Sequence, residues 1–243
     1  MFLKIALLTL LLTGLVLSDD RADYDLLKLK VSEQRRVLGQ HHQNRQYTEA
    51  VRAQEKIAKL SREALKIALS SPDIPNSDAW RYHANVMRDS GYTEDALEAV
   101  SQFLKTPLLR RSGFREGWMK RADIYQKQLD YPMAQDSLAK ALDYADTPPE
   151  QFQILKTQAR LYLKAADTER ALSRALSAEK LLADIEQEHR LNAQRDLQSL
   201  LIKVYRELGE SETAREAKLK ELELRRELLN KEIEKFNSEY PVE

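Results

Sequence analysis

Four histidines are the residues best suited to metal binding or proton transfer, and their spacing supports neither role. His41 and His42 are adjacent, so on a helix their side chains point about 100° apart, whereas two metal ligands on one helix face stand four residues apart. His83 and His189 have no second ligand at a suitable spacing. We therefore expect structural roles for the histidines and predict no metal site.

Other catalytic signatures are missing from the sequence as well. The chain has no Cys, which removes thiol nucleophiles, thiolate metal sites and disulfides. It contains no Gly-rich phosphate loop, no nucleophile elbow and no HExxH stretch. Its many carboxylates are scattered over segments that read as helix surfaces. We predict that the protein is not an enzyme and binds no cofactor.

The balance of charged residues argues against one class of binding partner, nucleic acids. The 243 residues contain 39 basic and 39 acidic side chains, so the net charge is zero. A general nucleic-acid-binding domain would be strongly basic, and we expect no nucleic-acid partner. With 42% apolar residues the chain has enough material for a folded core.

Residues 1–18 differ from everything that follows. Lys4 is their only charge, and a helix over residues 5–18 would span about 21 Å, short of the roughly 30 Å of a hydrocarbon core. This pattern is typical of a secretory signal, with a predicted cut between Ser18 and Asp19. The alternative is a retained anchor that associates with a membrane. In both cases we expect an exported protein, either periplasmic or anchored and facing the periplasm or exterior.

The rest of the chain predicts an all-α fold. After residue 20, Ala, Leu, Glu, Lys, Arg and Gln dominate, and no stretch alternates apolar and β-branched residues as a strand would. Gly91 and Gly209 are expected to end helices, and Pro148-Pro149 to begin one.

The helices repeat. One set of spacings, 4, 3, 9, 4 and 3 residues, occurs three times with small residues at corresponding places. These sets are Trp80, Ala84, Met87, Ala96, Val100 and Phe103; Trp118, Ala122, Tyr125, Ala134, Leu138 and Ala141; and Leu155, Ala159, Tyr162, Ala171, Ala175 and Ala178. Small residues would let two helices of a helix-turn-helix unit approach closely, and large ones would fill the space between units.

These residues resemble the tetratricopeptide repeat (TPR) family. A fourth unit around Ile202 and Ala214 fits less well, because Lys218 and Glu221 occupy usually apolar positions, and a first unit around Ala50 is weaker still. The resemblance implies an all-α, right-handed superhelical solenoid of about four to five TPR-like repeats plus a long C-terminal helix. The predicted divisions are a signal or anchor at 1–18, N-terminal helices with a weak first repeat at 19–78, a TPR-like solenoid at 79–210 and the C-terminal helix at 211–243.

The resemblance also implies a concave groove lined by the first helix of each unit. Six of twelve positions on that face are basic and one is acidic, which favours an acidic peptide or another anion. The predicted partner-binding residues are Arg81, Asn85, Arg88, Lys156, Arg160 and Lys203. The alternative is a solvated helix face whose charges pair with one another.

The C-terminal segment predicts one long helix from Ser211 to Phe236. Its apolar residues follow steps of three and four, with a single arginine among them: Leu219, Leu222, Arg226, Leu229, Ile233 and Phe236. Such a helix either caps the solenoid or forms a short coiled coil that makes a homodimer through residues 211–236. The leading hypothesis is thus a non-catalytic adaptor or scaffold of the cell envelope that binds a protein or peptide. The alternative is a structural oligomer that leaves the groove unused.

Overall fold

The computed structural model describes residues 19–239, and its secondary structure there consists of helices without a strand. The chain divides into two compact units, Met1–Leu109 and Arg110–Glu243. The predicted signal or anchor at residues 1–18 lies outside the described residues. Within residues 19–239, none of the helices combines the length and the apolarity needed to cross a bilayer.

The described part of the first unit, residues 19–109, contains two helical hairpins. Its helices are α1 (Asp20–Gln43), α2 (Tyr47–Ser70), α3 (Asn76–Asp89) and α4 (Thr93–Leu104). Each helix has an apolar face and a polar face, and the apolar faces pack together. The buried alanines of α2 let α1 and α3 approach it closely.

The second unit contains three hairpins. Its helices are α5 (Arg111–Lys127), α6 (Tyr131–Leu142), α7 (Pro148–Lys164), α8 (Thr168–Lys180), α9 (Gln187–Glu207) and α10 (Ser211–Glu239), with a short 3₁₀ helix at Leu181–Asp184. The all-α prediction is confirmed, and α7 begins at the predicted Pro148. The C-terminal helix begins at the predicted Ser211 and extends three residues beyond Phe236.

All five hairpins share one turn. In each, a residue with positive φ precedes the second helix by two positions, and the next backbone N–H donates to the carbonyl five residues before it. This N···O distance is 2.8 Å in the first turn and 2.9 Å in the other four. The positive-φ residues are Arg45, Gly91, Leu129, Ala166 and Gly209. Glycine takes this left-handed backbone without strain at two of the turns. The shared geometry shows that the weakly matching first and last repeats are helix-turn-helix repeats like the others.

The predicted repeat residues form the core. In the three well-matched repeats every alanine of the repeat pattern is buried, as is Phe103. The other aromatic residues of the pattern are partly buried, namely Trp80, Trp118, Tyr125 and Tyr162. His41 stands in its turn where Tyr125 stands in another, and its Nδ1 lies 2.8 Å from Gln46 Oε1. The recurring spacing therefore located residues that are buried within the hairpins.

Candidate functional site: a basic recess between α7 and α9

The six predicted groove residues fall into two sets of three. Arg81, Asn85 and Arg88 lie on α3 in the first unit. Lys156 and Arg160 on α7, with Lys203 on α9, lie in the second.

Aspartates accompany the basic residues of α3. Arg81 donates to Asp78 at 2.8 Å, and Arg88 donates to Asp89 at 2.8 Å. Asp89 also accepts a 2.9 Å bond from Arg35 of α1. The charge on this face is thus largely compensated within the unit, which corresponds to the ion-paired alternative for this part of the predicted groove.

Lys156 is a buried cation, only 5% exposed. Its Nζ lies 3.5 Å from Asp196 Oδ2 on α9 and 5.2 Å from the centre of the Phe152 ring. Burial lowers the pKa of Lys156 because it penalises the charged form; nearby Arg160 acts in the same direction, while the Asp196 carboxylate opposes both. Lys156 therefore lies beneath the surface, where its contact with Asp196 links α7 to α9.

Arg160 and Lys203 are exposed and line a recess of about 240 Å³ between α7 and α9. Five further residues line it: Leu163, Lys164, Asp196, Ser199 and Leu200. We call this set of seven the α7–α9 recess. Neither Arg160 nor Lys203 makes a hydrogen bond or ion pair with any described residue. Three basic side chains face one acidic one here, and the buried Lys156 adds another positive charge beneath them.

The recess suits a carboxylate attached to an apolar group. Arg160 and Lys203, which have no partner within residues 19–239, can donate to an incoming anion, and the two leucines offer an apolar surface beside them. Lys164 is a recess residue that the sequence analysis missed, although its position four residues after Arg160 places it on the same face of α7. Asp196 was missed too, because its role depends on contact with a residue forty positions earlier.

Ser199 connects the recess to the last helix. Its hydroxyl donates to Glu221 Oε1 of α10 at 3.0 Å. Glu221 is 2% exposed and also pairs with Lys218 and, at 2.6 Å, with Arg225. These bonds lower the pKa of Glu221, that from Lys218 most strongly. One wall of the recess is therefore tied to a buried carboxylate that is paired with two partly exposed cations.

Two of the four histidines, His41 and His83, make structural contacts with described residues. His83 is buried, with Nδ1 2.9 Å from Ser61 Oγ, and burial lowers its pKa. Among residues 19–239, no group of three His, Asp or Glu side chains is arranged to hold a metal ion.

No known family model and no curated protein matches this sequence. Solved structures do match it. BtubC (BKLC) from P. vanneervenii is 16% identical with a TM-score of 0.55, over 87% of this chain and 92% of that one. A putative kinesin light chain from Podosopora anserina, built of TPR-like repeats, is 18% identical to this chain with a TM-score of 0.51. That match covers 82% of this chain and 96% of the other.

A signal-transduction ATPase with a tetratricopeptide repeat sensor, from Pyrococcus horikoshii, is 16% identical with a TM-score of 0.56. The match covers 87% of this chain and 36% of that larger one. At these identities the similarity is one of fold, and it confirms the predicted TPR-like architecture.

Proposed function

We propose that this chain is a non-catalytic protein–protein interaction scaffold whose α7–α9 recess binds an acidic segment of a partner protein. The observation that carries the proposal is the pair of exposed cations, Arg160 and Lys203, which lack a protein partner among the described residues. Both line a recess that also contains two leucines. The TPR-like fold supports it, since the resemblance stated above implies protein binding.

A peptide fits the recess better than a nucleic acid does. The whole chain carries no net positive charge, so a long polyanion would find no net attraction outside the recess. A recess of about 240 Å³ accommodates one or two side chains, for instance an acidic residue beside an aliphatic one. Packed helices form the recess in advance, which limits the ordering cost of binding.

Charge reversal in the recess tests this proposal. Random peptides displayed on phage and selected on the wild-type protein are expected to be enriched in Asp and Glu next to Leu, Ile or Val. Arg160→Glu with Lys203→Glu should weaken binding of the selected peptides by about tenfold or more, because attraction becomes repulsion at both sites. Fluorescence anisotropy with a labelled selected peptide measures the change.

Two matched variants make this test specific. Arg110→Glu with Arg215→Glu makes the same charge change in the same unit outside the recess, and should leave affinity within about twofold. Arg81→Glu with Arg88→Glu tests the predicted α3 residues, where a smaller loss is expected because Asp78 and Asp89 already compensate them. Selected peptides without acidic enrichment, or equal losses in the recess variant and the Arg110/Arg215 control, would contradict the proposal.

We also propose that the scaffold works outside the cytoplasm, in the cell envelope. Residues 1–18 support this through their apolar run and predicted cut after Ser18. Intact-mass analysis of the protein from its native cells should find a mature chain that begins at Asp19. A chain that retains Met1 in the membrane fraction would identify the anchored alternative, and a full-length chain in the cytosol would refute export.

A further inference from the structure

The last helix, α10, has two apolar faces. One face packs on α9 through buried Ala214, Ala217 and Glu221, and continues with the half-buried Leu224 and Leu228. These residues follow steps of three and four, as expected for one side of a helix. This face completes the last hairpin.

The second face lies on the opposite side of α10 and is exposed. It consists of Leu219, Leu222, Arg226, Leu229, Ile233 and Phe236, which we call the α10 stripe. Its five apolar residues are between 48% and 60% exposed. The steps of 3, 4, 3, 4 and 3 residues are those of the a and d positions of a coiled coil. An exposed row of this kind, on a helix already anchored by its other face, marks an interaction surface.

We propose that the α10 stripe packs antiparallel against the same stripe of a second copy of this chain. The charges beside the stripe supply the argument. Lys218, Arg225, Glu232 and Glu239 recur every seven residues along one flank, with the cations in its first half and the carboxylates in its second. A sequence with this division is complementary to itself when one copy is reversed.

An antiparallel dimer pairs both halves of the flank. Lys218 lies opposite Glu239 of the second copy, and Arg225 lies opposite Glu232, which gives four opposite-charge pairs across the two-fold axis. Lys218 and Arg225 also hold Glu221 of their own chain, but their side chains are still 42% and 58% exposed and are open to a second carboxylate. A parallel dimer brings together only Lys218 and Glu223 in this way.

Arg226 distinguishes the two orientations further. In a parallel dimer the two Arg226 side chains would lie in the same layer of the seam, where like charges repel at close range. In the antiparallel register, with Leu219 opposite Phe236, each Arg226 lies opposite Leu229 of the other chain. The two guanidinium groups are then offset by three residues, about 4.5 Å along the helix axis. The stripe therefore selects the reversed orientation.

Sedimentation equilibrium of the full chain, over about two decades of concentration, tests self-association. The wild type should show a concentration-dependent dimer, and Leu222→Glu with Leu229→Glu should remain monomeric. Leu26→Glu with Leu29→Glu is the matched control, since it places the same charges on exposed leucines of α1 and should leave the dimer intact. Circular dichroism checks that helicity is equal in all three proteins.

A gain-of-affinity variant guards against loss through misfolding. Arg226→Leu removes the one charge in the seam and should tighten the dimer by about tenfold or more. A wild type that is monomeric throughout the range, a dimer that survives Leu222→Glu with Leu229→Glu, or an Arg226→Leu variant that dimerises no better would each overturn the proposal.

Orientation is measured separately by spin labels, which the absence of native Cys makes straightforward. Glu227→Cys and Glu234→Cys place labels one heptad apart on the same outer row of α10. In the antiparallel register the two copies of residue 227 are offset by one residue along the axis and those of 234 by thirteen, about 1.5 and 20 Å. A clearly longer distance at 234 supports the antiparallel dimer, whereas equal distances at the two positions would show a parallel one.

Discussion

Replacement of Phe152 by alanine is expected to lower the free energy of unfolding of the second unit by about 3–5 kcal/mol. Phe152 is 1% exposed and belongs to the cluster that joins α7, α8 and α9. Loss of the ring removes apolar burial and leaves a cavity that close-packed neighbours fill only in part. It also removes the aromatic face 5.2 Å from the buried Lys156 ammonium, which would keep Asp196 as its charged partner.

The two tryptophans allow this effect to be assigned to one unit. Trp80 lies in the first unit and Trp118 in the second, so a Trp80→Phe background leaves a fluorescence signal that reports on the second unit alone. Urea unfolding should show a much lower midpoint for Phe152→Ala, a loss below about 1.5 kcal/mol for Phe152→Leu, and a loss below about 1 kcal/mol for the partly exposed control Leu176→Ala. A Phe152→Ala loss no larger than that of Leu176→Ala would show that the ring does not support this core.

Phe152 also shows where prediction from the sequence ends. The repeat spacing located residues that pack within a hairpin, such as Ala159 against Ala171, because those contacts recur at fixed distances along the chain. Phe152 lies outside the recurring set and joins a cluster with residues of the next hairpin, such as Leu197 and Leu200. Contacts between hairpins depend on the connections between successive hairpins, whose lengths differ, so the spacing did not show which residues meet there.

The candidate site, too, was predictable from the sequence only in part. Spacing placed Arg160 and Lys203 on the same side of successive first helices, and the structure brings both to one recess. It gave no indication that Lys156, one turn before Arg160, would be buried against Asp196. A face of a helix can be read from a local pattern, whereas burial of one residue on that face depends on the neighbouring helix.

Glu221 is a further residue whose environment was not predicted from the sequence. Removal of this carboxylate should cost less stability than removal of the cations that pair with it. Loss of its two cations, by Lys218→Met with Arg225→Met, should lower the stability of the second unit by about 3 kcal/mol at neutral pH. The carboxylate would then be buried with the Ser199 hydroxyl as its remaining hydrogen-bond donor among the described residues. Removal of the carboxylate itself, by Glu221→Leu, should cost less than about 1 kcal/mol or stabilise the unit, because both cations are already substantially exposed.

The corresponding positions of other hairpins explain why leucine should be accepted. Phe103, Ala141 and Ala178 stand at this place in the repeat and are all buried. The triple variant Lys218→Met, Glu221→Leu, Arg225→Met should therefore recover most of the stability that the double variant loses. Urea unfolding followed by Trp118 fluorescence measures all of these variants. The Leu222→Glu and Leu229→Glu background separates the effect from self-association through the α10 stripe.

The pH dependence has a definite direction. Because the folded state lowers the pKa of Glu221, its contribution is present above the unfolded pKa of about 4.3 and is lost as the pH falls through the lower folded value. The difference between the wild type and the double variant should thus be largest near neutral pH and should shrink in acid, where the carboxyl group is protonated in both proteins. A difference that is independent of pH, or a Glu221→Leu variant that is less stable than the double variant, would mean that packing rather than the buried charge sets the stability of this hairpin.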